Sequence, residues 1–233
     1  MNNHQEFDIF LNIGPKEISI SAFDKRGNQI YQDIFVKDSF LPETDQNILS
    51  EFLDKNIFKL EKLTKIFVKK INLVVDSNLF KSVRASIKRK SFGKKITLNE
   101  MKQMLNEIKE EVKENNLDSS IIHMLIENYE VDNQRLEHLD HELSCDSLII
   151  QVQFICLSNY FIKNLNTKFK HYQIEIGQIL SASYVRNHNS EGSLTINQAA
   201  LKIFKGENFN EVQIVPKNST KMGFFEKFFN LFN

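Results

Sequence analysis

The chain has no tryptophan, only three prolines, seven glycines and two cysteines among 233 residues. Two cysteines, Cys145 and Cys156, build no disulfide framework. So few glycines and prolines leave little room for flexible linkers, and the chain reads as ordered over most of its length. Neither charge is in excess, since 30 basic residues balance 30 acidic ones. Nucleic-acid binders usually carry a basic surplus, so no nucleic-acid partner is expected. No run of about 18 apolar residues occurs, so no membrane-crossing helix is expected. The opening MNNHQEFDIF lacks a basic segment followed by an apolar run and does not read as a secretory signal. The expected location is cytoplasmic.

What is present begins with strands. Residues 6–14, 17–23 and 29–36 alternate apolar and polar positions, with Gly14-Pro15-Lys16 and Lys25-Arg26-Gly27-Asn28 as turns. Helical patterns follow at 42–57 and 58–69, then a buried strand at 71–77. Residues 80–96 suggest a hairpin or two edge strands, with Lys88, Arg89, Lys90, Lys94 and Lys95 outward. That basic stretch suits acidic lipid or a partner, and equally a charged edge that blocks strand pairing. Thr97-Leu98-Asn99-Glu100 has the spacing of a capping box, and Leu98, Met101, Leu105, Ile108 and Val112 follow at helical intervals. Strands are expected at 119–133, 145–157, 172–179 and 211–215, and helices at 158–170, 180–188 and 196–204. Residues 97–179 thus form a helix–strand–strand–helix–strand unit, and the fold class is α+β.

Residues 216–220 read as a polar linker before the aromatic tail MGFFEKFFNLF. On a helical wheel Phe224, Phe225, Phe228, Phe229, Leu231 and Phe232 fill one half, and Glu226, Lys227 and Asn230 the other. Half-burying six such groups is worth roughly 5–8 kcal/mol before the cost of ordering a short helix. Residues 221–233 therefore suit the plane of an anionic membrane surface, with Lys221, Met222 and Lys227 at the interface. Docking on the domain's own core or in a protein groove is the alternative. His138, His141 and Cys145 are zinc-ligating types at no standard spacing, so exposed loop histidines and no metal are expected. No Ser/His/Asp or Cys/His set has a supporting spacing, so no catalytic residue and no enzymatic activity are expected.

Five stretches, in order, resemble the FtsA family of bacterial cell-division proteins, which are actin-like membrane anchors. They are NIGPKEISISAF, INLVVDSNLFKSVRASIKRKSFGKKITLNEM, SSIIHMLIENYEVDNQRL, SASYVRNHNSEGS and the tail. The resemblance implies a partial actin-like (ribonuclease H-like) subdomain over 1–96 and an inserted FtsA-type subdomain over 97–179. It further implies a truncated return to the core over 180–215 and a C-terminal amphipathic helix. After about Gly192 the family continues into a second half, whereas here about 28 residues lead to the tail. A reduced form lacking that half is therefore expected. The missing half carries the family's docking surface for the ring protein FtsZ, so FtsZ is left open as a partner. The type IV pilus protein PilM has a similar core.

In actin-like ATPases the first strand–turn–strand holds phosphate. That needs an acid to organise Mg²⁺ waters, a glycine, and hydroxyl and N–H donors. Here Gly14 is present, but Asn12 stands at the acid's place and Pro15 at the hydroxyl's. Proline also lacks an N–H. No cofactor is expected. The expected function is that of a peripheral membrane adaptor, recruiting division proteins and the cytoplasmic ends of membrane-embedded ones. A pilus-assembly adaptor and an ATP-binding actin-like protein are the alternatives.

Overall fold

The structure, a computed structural model, describes residues 7–37, 46–139, 143–189, 192–208 and 210–212. It is mixed α+β and divides into two compact units. Among the described residues, those within 7–79 and 160–207 make the first and those within 80–159 and 208–212 the second.

In the first unit, β1 (Phe7–Ile13), β2 (Glu17–Asp24) and β3 (Gln29–Val36) form the expected antiparallel meander. β4 (Lys70–Val75) pairs parallel with β1, and β11 (Glu175–Ser181) pairs parallel with β4. The sheet order is β11-β4-β1-β2-β3. β1 is buried on both faces. The register puts Phe10, Asn12, Ser19, Ser21, Gln32 and Ile34 on one face. There α5 (Ile196–Phe204) packs, with the Phe204 ring 5.6 Å from Phe10. On the other face α1 (Gln46–Thr64) is tied to β3 by Tyr31 Oη donating to Asn56 Oδ1 at 2.6 Å. α1 is one helix rather than the two expected pieces. β11 carries a bulge at Gly177-Gln178, where the Asn72 carboxamide accepts from the Gln178 N–H at 3.0 Å. A Cβ at residue 177 would collide with that carboxamide.

The second unit holds a sheet of order β5-β10-β7-β8. Its strands are β5 (Phe80–Lys90), β7 (Ser119–Val131), β8 (Gln134–Leu136) and β10 (Ser147–Ser158). β10 alternates buried and half-buried positions along its length, as a strand covered on one face should. The cover is α2 (Leu98–Glu114), which buries Met101, Met104, Leu105, Ile108 and Val112. Its start is the expected capping box: Thr97 N–H donates to Glu100 Oε2 at 2.7 Å, and Glu100 N–H donates to Thr97 Oγ1 at 3.3 Å.

Of the two arrangements expected for residues 80–96, the pair of edge strands forms and the hairpin does not. β5 pairs with β10 along its whole length, and β6 (Lys95–Ile96) pairs with β9 (Leu143–Ser144). The compact units change at 79/80 and 159/160. β5 belongs to the second unit, while β11 and nearly all of α3 (Asn159–His171) belong to the first. The strand expected over 119–133 ends at Val131, because Asp132 and Asn133 both take positive φ in a tight turn to β8. Of the strand expected at 211–215, Glu211 bridges Leu125 of β7. Among the described residues no helix is long and apolar enough to cross a membrane. The tail and its linker lie outside the described residues.

Candidate functional site

The ends of β1 and β4 lie side by side, and the chain leaves β1 through Gly14-Pro15-Lys16 into β2. The turn closes with Gly14 N–H donating to Glu17 O at 2.9 Å. The neighbouring Asp76 N–H donates to Ile13 O at 2.9 Å, fastening the residue after β4 to the end of β1. A cleft of about 450 Å³ opens at this corner, within the first unit. Its walls come from the turn, from Gln32 and Ile34 of β3, from Asp76, and from Arg186, Thr195, Ile196 and Asn197.

The cleft's polar floor is made of neutral groups. Asn12, 4 % exposed, holds its Nδ2 3.5 Å from both Glu17 Oε1 and Ser19 Oγ. Asn197, 1 % exposed, donates Nδ2 to Ser19 O at 3.3 Å and to Ser21 Oγ at 3.1 Å. The Oδ1 atoms of both asparagines are buried without a hydrogen-bond partner among the described residues. Charge sits at the rim and balances: Lys16 and Arg186 against Glu17 and Asp76. Arg186, on α4 (Ala182–His188), pairs with Asp76 at 2.5 Å. Thr195 and Gln198 form a reciprocal capping box at the start of α5, so Thr195 Oγ1 already accepts from Gln198 N–H at 3.3 Å.

A phosphate or Mg·phosphate group fits this donor set poorly. The Gly14 and Asp76 N–H groups are committed to main-chain carbonyls, and Pro15 has none to offer. Asn12 presents a carboxamide where a carboxylate would hold metal-bound water. The nearest carboxylate at the end of β4, Asp76, is engaged by Arg186.

The structure places Asn12, Gly14 and Pro15 in one cleft. The membrane-binding candidates from Lys221 to Phe232 lie outside the described residues. His138 is exposed, but Cys145 is buried in the second unit's core. No group of three or more metal-ligating side chains gathers among the described residues. Sequence reasoning missed Asn197, Asp76 and Arg186. Asn197 had a signal, a carboxamide among the apolar residues of a short helix. The Asp76–Arg186 pair spans 110 positions, which no local pattern discloses.

No protein-family model and no curated protein sequence matches the chain. Among solved structures, the chain is similar to a PilM–PilN type IV pilus biogenesis complex at 9 % identity and a TM-score of 0.44, covering 76 % of this chain and 48 % of that one. It is similar to the cytoplasmic domain of EpsL, an inner-membrane component of the Vibrio cholerae type II secretion system, at 9 % identity and a TM-score of 0.34. That likeness covers 77 % of this chain and 57 % of the other. A Bacteroides thetaiotaomicron protein of actin-like ATPase fold and unknown function matches at 12 % identity and a TM-score of 0.34, over 81 % of this chain and 58 % of that one. The chain spans about half the length of the structures it matches.

Proposed function

We propose that the chain is an FtsA-like peripheral adaptor on the cytoplasmic face of a bacterial membrane, recruiting division proteins without turning over nucleotide. The observation that carries the reading is the corner at Gly14: a carboxamide floor, a charge-balanced rim, and Gly14 and Asp76 N–H groups already in use. That corner supports a scaffold in preference to a phosphate-transfer site. The mixed sheet, with its meander followed by two parallel strands, is compatible with the actin-like half that the sequence resemblance implies. The amphipathic pattern of residues 221–233 supports anchoring to anionic lipid, with Lys217, Lys221 and Lys227 adding attraction.

Two measurements test this. Flotation with anionic liposomes should recover the chain and lose most of it with Phe225→Asp plus Phe228→Asp. Unchanged recovery of that variant defeats the tail as anchor. Calorimetry with Mg·ATP should show no binding heat, and a clear isotherm overturns the scaffold reading. Division-site fluorescence of a tagged chain, compared with one lacking 221–233, tests the cellular role.

A further inference from the structure

β5 is an edge strand of the second unit's sheet, and its solvent-facing positions include Lys88 and Lys90. It ends in a tight turn, Ser91 to Lys94, closed by Lys94 N–H donating to Ser91 O at 3.1 Å. The turn is fastened to the chain beside it. Ser91 and Phe92 N–H groups donate to Asp146 O at 2.9 and 3.3 Å, and Gly93 N–H donates to Cys145 O at 3.0 Å. The Ser91 hydroxyl also donates to Cys145 O. At the tip stands Phe92, 78 % exposed.

Two features make this tip unusual. Phe92 has φ 52°, a left-handed backbone that bulky side chains disfavour and that glycine or asparagine would adopt freely. An exposed aromatic is thus held, against local preference, on a rigid turn that gives it no packing return. Around it the charge is positive. Lys88, Lys90 and Lys94 make no ion pair among the described residues, whereas Arg89 is engaged by Glu107 at 3.1 Å. Two acids lie nearby: Asp146, whose Oδ1 is 3.8 Å from where a Cβ on Gly93 would sit, and Asp132, whose Oδ1 accepts from the Asp146 and Ser147 N–H groups at 2.9 and 2.8 Å.

We propose that the Ser91–Lys94 turn is a membrane contact, inserting Phe92 into an anionic lipid interface while Lys88, Lys90 and Lys94 meet the headgroups. The partner chemistry follows from shape and charge. A protruding ring needs a partner that deforms around it, and a bilayer interface does so where a folded protein would need a matching pocket. Basic side chains near an anionic leaflet add attraction that falls off within a Debye length. This contact is independent of the tail, so each can fail alone.

The chain lacks tryptophan, so Phe92→Trp installs a single reporter. It is placed in the full chain with the tail disabled by Phe225→Asp and Phe228→Asp. Phosphatidylcholine vesicles containing phosphatidylglycerol should shift the reporter's emission to the blue, and pure phosphatidylcholine should not. Lys90→Gln with Lys94→Gln should weaken the partitioning about tenfold. Phe92→Gly should weaken vesicle co-sedimentation about tenfold while raising the Tm, since it removes both the ring and the backbone strain. No shift in the tail-disabled chain, or partitioning unchanged by Phe92→Gly, overturns the turn contact and leaves the tail anchor to stand or fall by its own flotation. A shift given by polyglutamate but not by vesicles also overturns it, in favour of an acidic protein surface.

Discussion

The two units bury their polar groups differently. In the first, every buried polar side chain among the described residues is neutral: Asn12, Ser19, Ser21, Asn56, Asn72, Ser181 and Asn197. The second buries an ionisable pair. His123 Nδ1 lies 2.7 Å from Glu211 Oε1, with both side chains almost wholly covered. Glu211 Oε2 also accepts from the Asn208 carboxamide. A buried carboxamide loses at most a few hydrogen bonds when its surroundings change. A buried pair of ionisable side chains is worth little relative to apolar packing but costs heavily when halved. The first unit therefore spreads its polar commitments, and the second concentrates them where residues 210–212 meet β7.

The strongest way to break this contrast is Glu211→Leu, which takes from His123 the carboxylate at 2.7 Å. We expect a loss of about 3–5 kcal/mol, confined to amides of β7 and β10 in native-state hydrogen exchange, with β1 unchanged. A middle-sized effect should come from the first unit. Asn197→Ala leaves Ser19 O and Ser21 Oγ without their donor. That should cost about 1–3 kcal/mol, seen in urea unfolding and in faster exchange of β1 and β2 alone.

The smallest and sharpest effect is alkaline. Burial pushes the Tyr129 hydroxyl up to about 12 from its ordinary value of 10.0. The folded chain therefore holds this proton more tightly than the unfolded chain. Its contribution is complete below pH 10.0 and is lost as pH rises towards about 12. Tyr129→Phe should flatten the second unit's decline across that window. Tyr172, in the first unit, is likewise raised to about 12, by burial first and then by its hydrogen bond to Asp54. The first unit's alkaline decline should therefore persist in the Tyr129→Phe variant.

Strands with strict alternation and helices with marked caps were legible in the sequence. The meander and the Thr97 capping box came out at their expected positions because the signals are local. The partner of β5 was not legible. Its eleven residues suit an edge strand beside any neighbour, and only the pairing with β10, some 60 positions away, decides which unit owns it. The same holds for the cleft. Gly14 and Pro15 announce a turn by their own backbone limits, whereas the floor depends on an asparagine that α5 delivers from 178 positions downstream. Phe92 illustrates the converse: its exposure runs against hydrophobicity, which is why a sequence read for core residues passes over it.

The pairing of residues 210–212 with β7 also has a consequence for the order of assembly. Ile126 N–H donates to Asn210 O, and Val212 N–H to Met124 O, each at 2.8 Å. During synthesis this segment emerges only after α3, β11, α4 and α5 have been made. Until then that stretch of β7 is an open edge, able to accept a strand from another chain. The second unit is thus finished by residues made after most of the first, and its nascent form is the stage at which a chaperone would matter most.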